Sequence, residues 1–343
     1  MKRPTHILVI RLSALGDVAM TVPVLRVVTK TYPLLKLTVV SRAFYKPLFD
    51  GIPNLTFLEA DVYGKHKGIG LLKLAKEAKK LGIDAVADLH SVIRSKILTN
   101  FLGFNGVKTA SIDKGRAEKK ELIKAEHRSF TPLKSTHQRY ADVFENLGFP
   151  LDLQTHEFPV KKNLNSNITA LFGKEPKKLI GIAPFAAFKS KTYPLPMMTE
   201  VIKKLDATTN YQVFLFGGGK EEKELLQEIE DQFHSVTSVT SLFSFTEELA
   251  LISNLDIMIS MDSGNGHLAA LYGIPTITLW GVTHPYAGFT PFQQPEENQL
   301  LANKEQYPLI PTSIYGNKFP KEYESAIATI PPDAIIEKLL KII

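Results

Sequence analysis

The chain has 343 residues, 44% of them apolar and none of them cysteine, and carries a formal charge of +6. That length is enough for two cores of ordinary domain size, and the missing cysteines exclude disulfides, thiolate metal sites and a cysteine nucleophile. No run reaches the roughly 20 apolar residues that cross a bilayer. The first apolar run, Ile7 to Ile10, stops at Arg11 and is too short for a signal peptide. The expectation is a soluble cytoplasmic protein, with peripheral membrane contact left open. The charge is uneven: residues 1–150 hold 25 Lys and Arg against 13 Asp and Glu, and the remainder 16 against 22. Such a split points to an anionic partner for the first half or to a plain solvated basic surface.

In chain order, His6 to Arg11 reads as a buried strand, followed by a turn and a helical pattern on Val18, Val22, Leu25 and Val28. Leu37 to Val40 is a second strand, Leu71 to Leu81 an amphipathic helix, Ala85 to Leu89 a strand and Ile93 to Leu102 a helix. The pattern restarts with the strand Leu179 to Ala183 and the helix Met197 to Leu205. The strand Gln212 to Phe216, the helix Glu221 to Phe233 and the strand Ile257 to Ser260 follow. A helix from His267 and the strand Thr276 to Leu279 continue the series. Strands alternating with helices of this length predict parallel sheets. The polar stretch Val160 to Ser166 is the expected linker. The fold class is therefore α/β, with two doubly wound Rossmann-like domains, 1–163 and 164–343, facing a cleft. The apolar C-terminal helix, Asp333 to Ile343, is expected to dock back.

Ligands of open parallel sheets bind beyond the carboxyl ends of the strands, so those loops are where chemistry is sought. The first βα turn, Arg11-Leu-Ser-Ala-Leu-Gly-Asp17, has one glycine where a dinucleotide fingerprint needs three, which disfavours nicotinamide and flavin enzymes. Asp17 there is either a helix N-cap or a general base. Met261-Asp-Ser-Gly-Asn-Gly-His267 follows a strand and opens a helix. Asp262, Ser263, Gly264 and His267 form either an ordinary capped helix or a cradle for a diphosphate. Lys191, in Phe188-Lys-Ser-Lys-Thr-Tyr-Pro194, neutralises phosphate or is a solvated loop lysine. After Gly217-Gly-Gly219, Glu221 and Glu222 bind ribose hydroxyls or are first-turn residues. The run from Lys114 to Arg128, with Arg116, Lys119 and Lys120, is a partner-binding patch or a salt-bridged face laced with Glu118, Glu121 and Glu126. Arg94 follows a strand end, where anion binding is expected. No histidine pair has metal-ligand spacing with a carboxylate.

Taken together, these stretches resemble glycosyltransferase family 9, which contains the ADP-heptose:lipopolysaccharide heptosyltransferases. Asp262-Ser-Gly-Asn-Gly-His-Leu-Ala-Ala-Leu-Tyr-Gly-Ile-Pro-Thr-Ile-Thr-Leu-Trp-Gly281 is similar to the family's donor-binding signature. Ile10 to Pro23 is similar to its N-terminal signature. Asp88-Leu-His-Ser-Val-Ile-Arg94-Ser95 and Ser190-Lys191-Thr-Tyr-Pro194 match in order. The resemblance implies a GT-B fold, an inverting mechanism without catalytic metal or cofactor, and heptose moved from ADP-heptose to a lipopolysaccharide-core or related glycan. It implies Asp17 as base, Lys191 on the donor phosphate, Asp262, Ser263, Gly264 and His267 in the nucleotide-sugar loop, and Glu221 or Glu222 on the ribose. Arg94, Arg116, Lys119 and Lys120 are the expected acceptor contacts. The implied partners are a nucleotide sugar and an anionic glycolipid, with peripheral contact at the inner face of the inner membrane left open and no nucleic acid. Two departures bear on the sugar: Ala186 and Ala187 stand where the family often has Ser or Thr, and Asn265-Gly266 stands where Pro-Met is usual. The alternatives are a nucleotide-sugar 2-epimerase of the same fold, a member using another nucleotide sugar, and a non-catalytic binding module.

Overall fold

The computed structural model describes residues 3–126, 129–173 and 176–343. Arg128, at the end of the basic run, lies outside them. The chain forms two compact units, and each is built on one parallel sheet.

The first unit comprises Met1–Lys114 and Lys134–Phe158. Its strands are β1 (His6–Ile10), β2 (Lys36–Ser41), β3 (Leu55–Glu59), β4 (Ala85–Asp88) and β5 (Lys108–Ser111), in the order β3-β2-β1-β4-β5. Ile7 to Ile10 of β1 pair with Leu37 to Val40 on one side and with Ala85 to Asp88 on the other. Strands buried on both faces by helices need continuous apolar runs, and Ile7, Leu8, Val9 and Ile10 supply one. β3 and β5 are sheet edges with no fully buried residue, which is why no long apolar run announces them. The helix Thr136–Leu147, also absent from the sequence reading, is delimited by two ordinary signals. Ser135 accepts from the Gln138 amide at its start, and Gly148 ends it at φ 99°, a conformation glycine adopts without strain.

The second unit comprises Gly115–Leu133 and Pro159–Ile343. Its strands are β6 (Lys178–Ala183), β7 (Tyr211–Leu215), β8 (Val236–Ser238), β9 (Ile257–Met261), β10 (Thr276–Trp280) and β11 (Gln299–Leu301), in the order β11-β10-β9-β6-β7-β8. Its core joins Ile180, Ile182, Val213, Leu215, Ile257 and Ile259 to the helix Leu195–Asp206. Each such fully buried aliphatic side chain contributes about 1.5–3 kcal/mol.

Three expectations change. The stretch 115–133, which the sequence reading placed in the first domain, packs with the second unit: Leu122 is buried against Ala287 and Ile314. With it move several cations, so the first unit holds 20 Lys and Arg against 12 Asp and Glu, and the second 21 against 23. The polar stretch 160–166 is fastened to the second unit, because Lys162 donates its amide to Ser253 at 2.9 Å and Asn254 donates to the Lys162 carbonyl at 2.8 Å. The C-terminal helix, Pro332–Ile342, stays within its own unit, burying Ile335 and Leu339 in the second core beside the helix Leu195–Asp206. Among the described residues no helix is long and apolar enough to cross a membrane.

Candidate active site

In a doubly wound sheet, the ligand crevice opens where strand order reverses, because adjacent loops there run away from each other. The first sheet reverses between β1 and β4, and the second between β6 and β9. Asp17, Lys191 and the loop Asp262 to His267 follow strands that flank these two reversals.

In the first unit, Arg11 leaves the end of β1 and is buried. Its Nη1 donates to the Leu89 carbonyl beyond β4 at 2.8 Å, and its Nη2 pairs with Asp17 Oδ2 at 2.5 Å. Arg11 thus ties both loops of the reversal to Asp17. Asp17 is the third residue of the helix Leu15–Ala19, whose N-cap is Ala14, so the N-cap reading does not hold. The Ala14 amide reaches Oδ2 at 3.4 Å, a long contact beside the ion pair. Oδ1 has no hydrogen-bond partner among the described residues, and the carboxylate is one-third exposed (34%). The buried Tyr140 donates its hydroxyl to the Asp17 carbonyl at 3.2 Å, and burial pushes its own ionisation upward. His90 accepts from the Leu12 amide at 3.4 Å. Burial, and then the Arg11 charge, push His90 down to about 3, so its ring is neutral. The buried Asp88 accepts from the amides of His90 and Ser91 and from the Ser95 hydroxyl, and so shapes the loop after β4. Arg94 is exposed, with its guanidinium 5.1 Å from the Tyr63 ring centroid. Arg42 stands 5.4 Å from the same ring.

In the second unit, Lys191 ends a 3-10 turn after β6 and pairs with Asp262 Oδ2 at 2.9 Å. Both side chains are nearly buried, at 12% and 8% exposed. The fully buried Thr283 donates to the same Oδ2 at 3.0 Å. Ser190 donates to the Gly316 carbonyl at 2.6 Å. Gly316 lies against the Lys191 stem so closely that a Cβ there would stand 2.5 Å from Lys191 Cδ, and its φ of +84° also suits glycine. Thr283 and Gly316 escaped the sequence reading; the one signal for Gly316 is an isolated glycine after Ser313-Ile-Tyr.

Ser263 is the N-cap of the helix Gly264–Ala270, and its buried Oγ has no hydrogen-bond partner among the described residues. His267 lies one turn in and is buried. Gly266 serves packing rather than ligand approach, because a Cβ there would meet Ser260 Oγ at 2.4 Å. Glu222 turns back to accept from the Gly218 amide at 2.6 Å, whereas Glu221 is exposed at the same helix start. The basic helix Arg116–Leu122 is not a uniformly solvated face. Arg116 and Lys120 are exposed, but Lys119 is buried with Nζ 4.2 Å from the Phe289 ring centroid. Phe289 in turn contacts Tyr315, next to Gly316. The three cations therefore belong to the second unit, not to the first. The described residues contain no cluster of three or more metal-ligating side chains.

A family profile, glycosyltransferase family 9 (heptosyltransferase), matches residues 71–314. The chain belongs to glycosyltransferase family 9. The match takes in Lys191, Glu221, Glu222 and the loop Asp262 to His267, while Asp17 precedes it. The lipopolysaccharide core heptosyltransferase OpsX of Haemophilus influenzae is 25% identical over 285 residues, covering 82% of this chain and 80% of that protein. The lipooligosaccharide heptosyltransferase 2 of Campylobacter jejuni is 24% identical over 340 residues, 96% of each chain. A crystal structure of a family 9 glycosyltransferase from Veillonella parvula superposes at a TM-score of 0.76 with 20% identity, over 100% of this chain and 98% of that one. The fold is GT-B, and this family 9 member is a sugar-transferring enzyme.

Proposed function

We propose that this glycosyltransferase moves a heptose from ADP-heptose to a lipopolysaccharide-core or related envelope glycan, with inversion at the anomeric carbon. Asp17 takes the proton of an acceptor hydroxyl through Oδ1, the oxygen that Arg11 leaves open. The acceptor oxygen then bonds to the anomeric carbon as the bond to the diphosphate breaks on the opposite face. Negative charge grows on the departing diphosphate. Lys191, the amides opening the helix Gly264–Ala270 and the Ser263 hydroxyl oppose it. Preorganised donors of this kind are worth about 3–4 kcal/mol of barrier. Glu221 is the stronger candidate for the ribose, since Glu222 is engaged by its own glycine turn.

The observation that carries the reading is the Thr283–Asp262–Lys191 chain, which fixes a lysine at the strand-order reversal. Its neighbour Ser263 has a buried, unsatisfied hydroxyl. The heptosyltransferase names of the relatives supply the sugar and the acceptor. The 2-epimerase alternative retains only a shared fold in its favour. Incubation with ADP-heptose, and with ADP-, GDP- and UDP-hexoses, each with and without a heptose-free lipopolysaccharide-core acceptor, tests the proposal. Transfer from ADP-heptose that persists in excess EDTA is expected. Selective use of another nucleotide sugar overturns the heptose, and conversion of donor without acceptor into its 2-epimer overturns the reaction.

A further inference from the structure

We propose that the outer face of the helix pair Gly70–Lys80 and Ile93–Phe104, in the first unit, is a docking surface for an anionic phospholipid bilayer. This goes beyond the proposed reaction, which assigns no surface to a membrane.

The two helices pack side by side. Each buries one stripe, with Leu71, Leu74, Ala75 and Ala78 on the first and Leu98 and Leu102 on the second. The opposite stripes of soluble helices are ordinarily polar. Here they are not. Ile69 is 87% exposed, Ile93 80% and Phe104 90%, and Leu72 and Ile97 are also exposed. Ile93, Ile97 and Phe104 fall at helical spacing along about 16 Å of one face. Single exposed apolar side chains are common, but a row of them on two adjoining helices marks an interaction surface.

The unpaired charges on the two helices are basic. Lys67, Lys73, Lys76 and Lys96 are exposed, and none has an ion-pair partner among the described residues. The acids of the same stretch are already engaged: Glu77 is paired with Lys65, Asp84 accepts from Thr5 and His6, and Asp88 is buried. Apolar side chains set among unpaired lysines are the arrangement of surfaces that seat 5–10 Å into a headgroup layer while cations meet acidic lipid. A protein partner would call for a flatter, less basic centre. The face also reaches the Arg42–Tyr63–Arg94 cluster at the carboxyl edge of the sheet, the edge that carries Asp17.

The test uses the full chain and vesicle flotation. Phosphatidylcholine vesicles containing phosphatidylglycerol should carry the protein up, pure phosphatidylcholine vesicles should not, and added salt should weaken the binding. The variants Ile69→Ser/Ile97→Ser and Lys73→Glu/Lys76→Glu lie at exposed positions, so unchanged melting temperatures should accompany about tenfold weaker vesicle binding or more. Flotation needs neither donor nor acceptor, so it stands or falls separately from the heptosyl reading. Failure of the parent to float with phosphatidylglycerol vesicles, or equal flotation of parent and variants, overturns the proposal. Self-association in solution that these variants abolish, without vesicle binding, would assign the face to a second copy of the chain and equally overturn it.

Discussion

Both units place a cation–carboxylate pair where strand order reverses, yet the two pairs are inverted. In Arg11–Asp17 the arginine is the buried anchor, held by the Leu89 carbonyl, and the acid keeps an oxygen open to solvent. In Lys191–Asp262 the acid is the anchor, held by Thr283, and the lysine is the group presented to charge. One arrangement offers a proton acceptor, the other a cation. The proposed reaction, which takes up a proton at Asp17 and opposes anionic charge at Lys191, draws on that asymmetry.

The largest effect should come from Asp17→Asn, which keeps size and a capping oxygen but removes the base. Turnover should fall about 10²–10⁴-fold with donor affinity unchanged; parental turnover would reduce Asp17 to a structural partner of Arg11. Lys191→Ala should follow. Turnover should drop about 10²–10³-fold and nucleoside diphosphate affinity should fall as well, so a loss confined to melting temperature would break the inversion. Smaller is the expected effect of Thr283→Val, which takes the donor from Asp262 and lets Lys191 drift. A loss of roughly tenfold in kcat at nearly constant donor KM, restored by Thr283→Ser, is the signature of a positioning residue. Parental kcat in the valine variant would release Thr283 from that role.

The smallest effects concern pH and stability, and they too oppose each other. His90 stays neutral in the folded first unit down to about 3, whereas the unfolded chain protonates it below about 6.5. Its contribution is therefore present above that range and is lost as pH falls from 6.5 toward 3. Glu248 of the second unit is pushed by burial up to about 7 from an ordinary 4.5. Its contribution is full below 4.5 and is lost as pH rises through 7. In thermal melts from pH 5 to 8, His90→Asn should flatten the acid side and Glu248→Gln should raise the melting temperature at pH 8. Parallel curves for parent and variants would remove both assignments.

The central strands were legible because double-sided burial leaves runs such as Ile7 to Ile10 and Ile257 to Ile259. The two loop motifs were legible because they sit directly after such runs. Thr283 and Gly316 were not, since their roles depend on contacts with Asp262 and Lys191, 21 and 125 positions away in the sequence. Lys119 misled for a different reason. A lysine among glutamates reads as solvated, and only the Phe289 ring beneath its ammonium shows otherwise. The helix Phe245–Ile252 was within reach, because Ser244 and Glu247 cap it reciprocally.

The excursion of residues 115–133 into the second unit sets a timetable for synthesis. The first unit is interrupted after Lys114 and completed only with Phe158. The excursion itself has nothing to pack on until Ala287 and Ile314 have left the ribosome. At about 5–20 residues per second, Leu122 waits roughly 10–40 s for its partners. Throughout that interval the nascent chain carries an amphipathic, basic segment with its apolar side uncovered, hung as a loop from an otherwise finished unit. A chain shortened before residue 287 would keep it so permanently, which makes C-terminal truncations of this enzyme prone to capture by chaperones even where the first unit is whole.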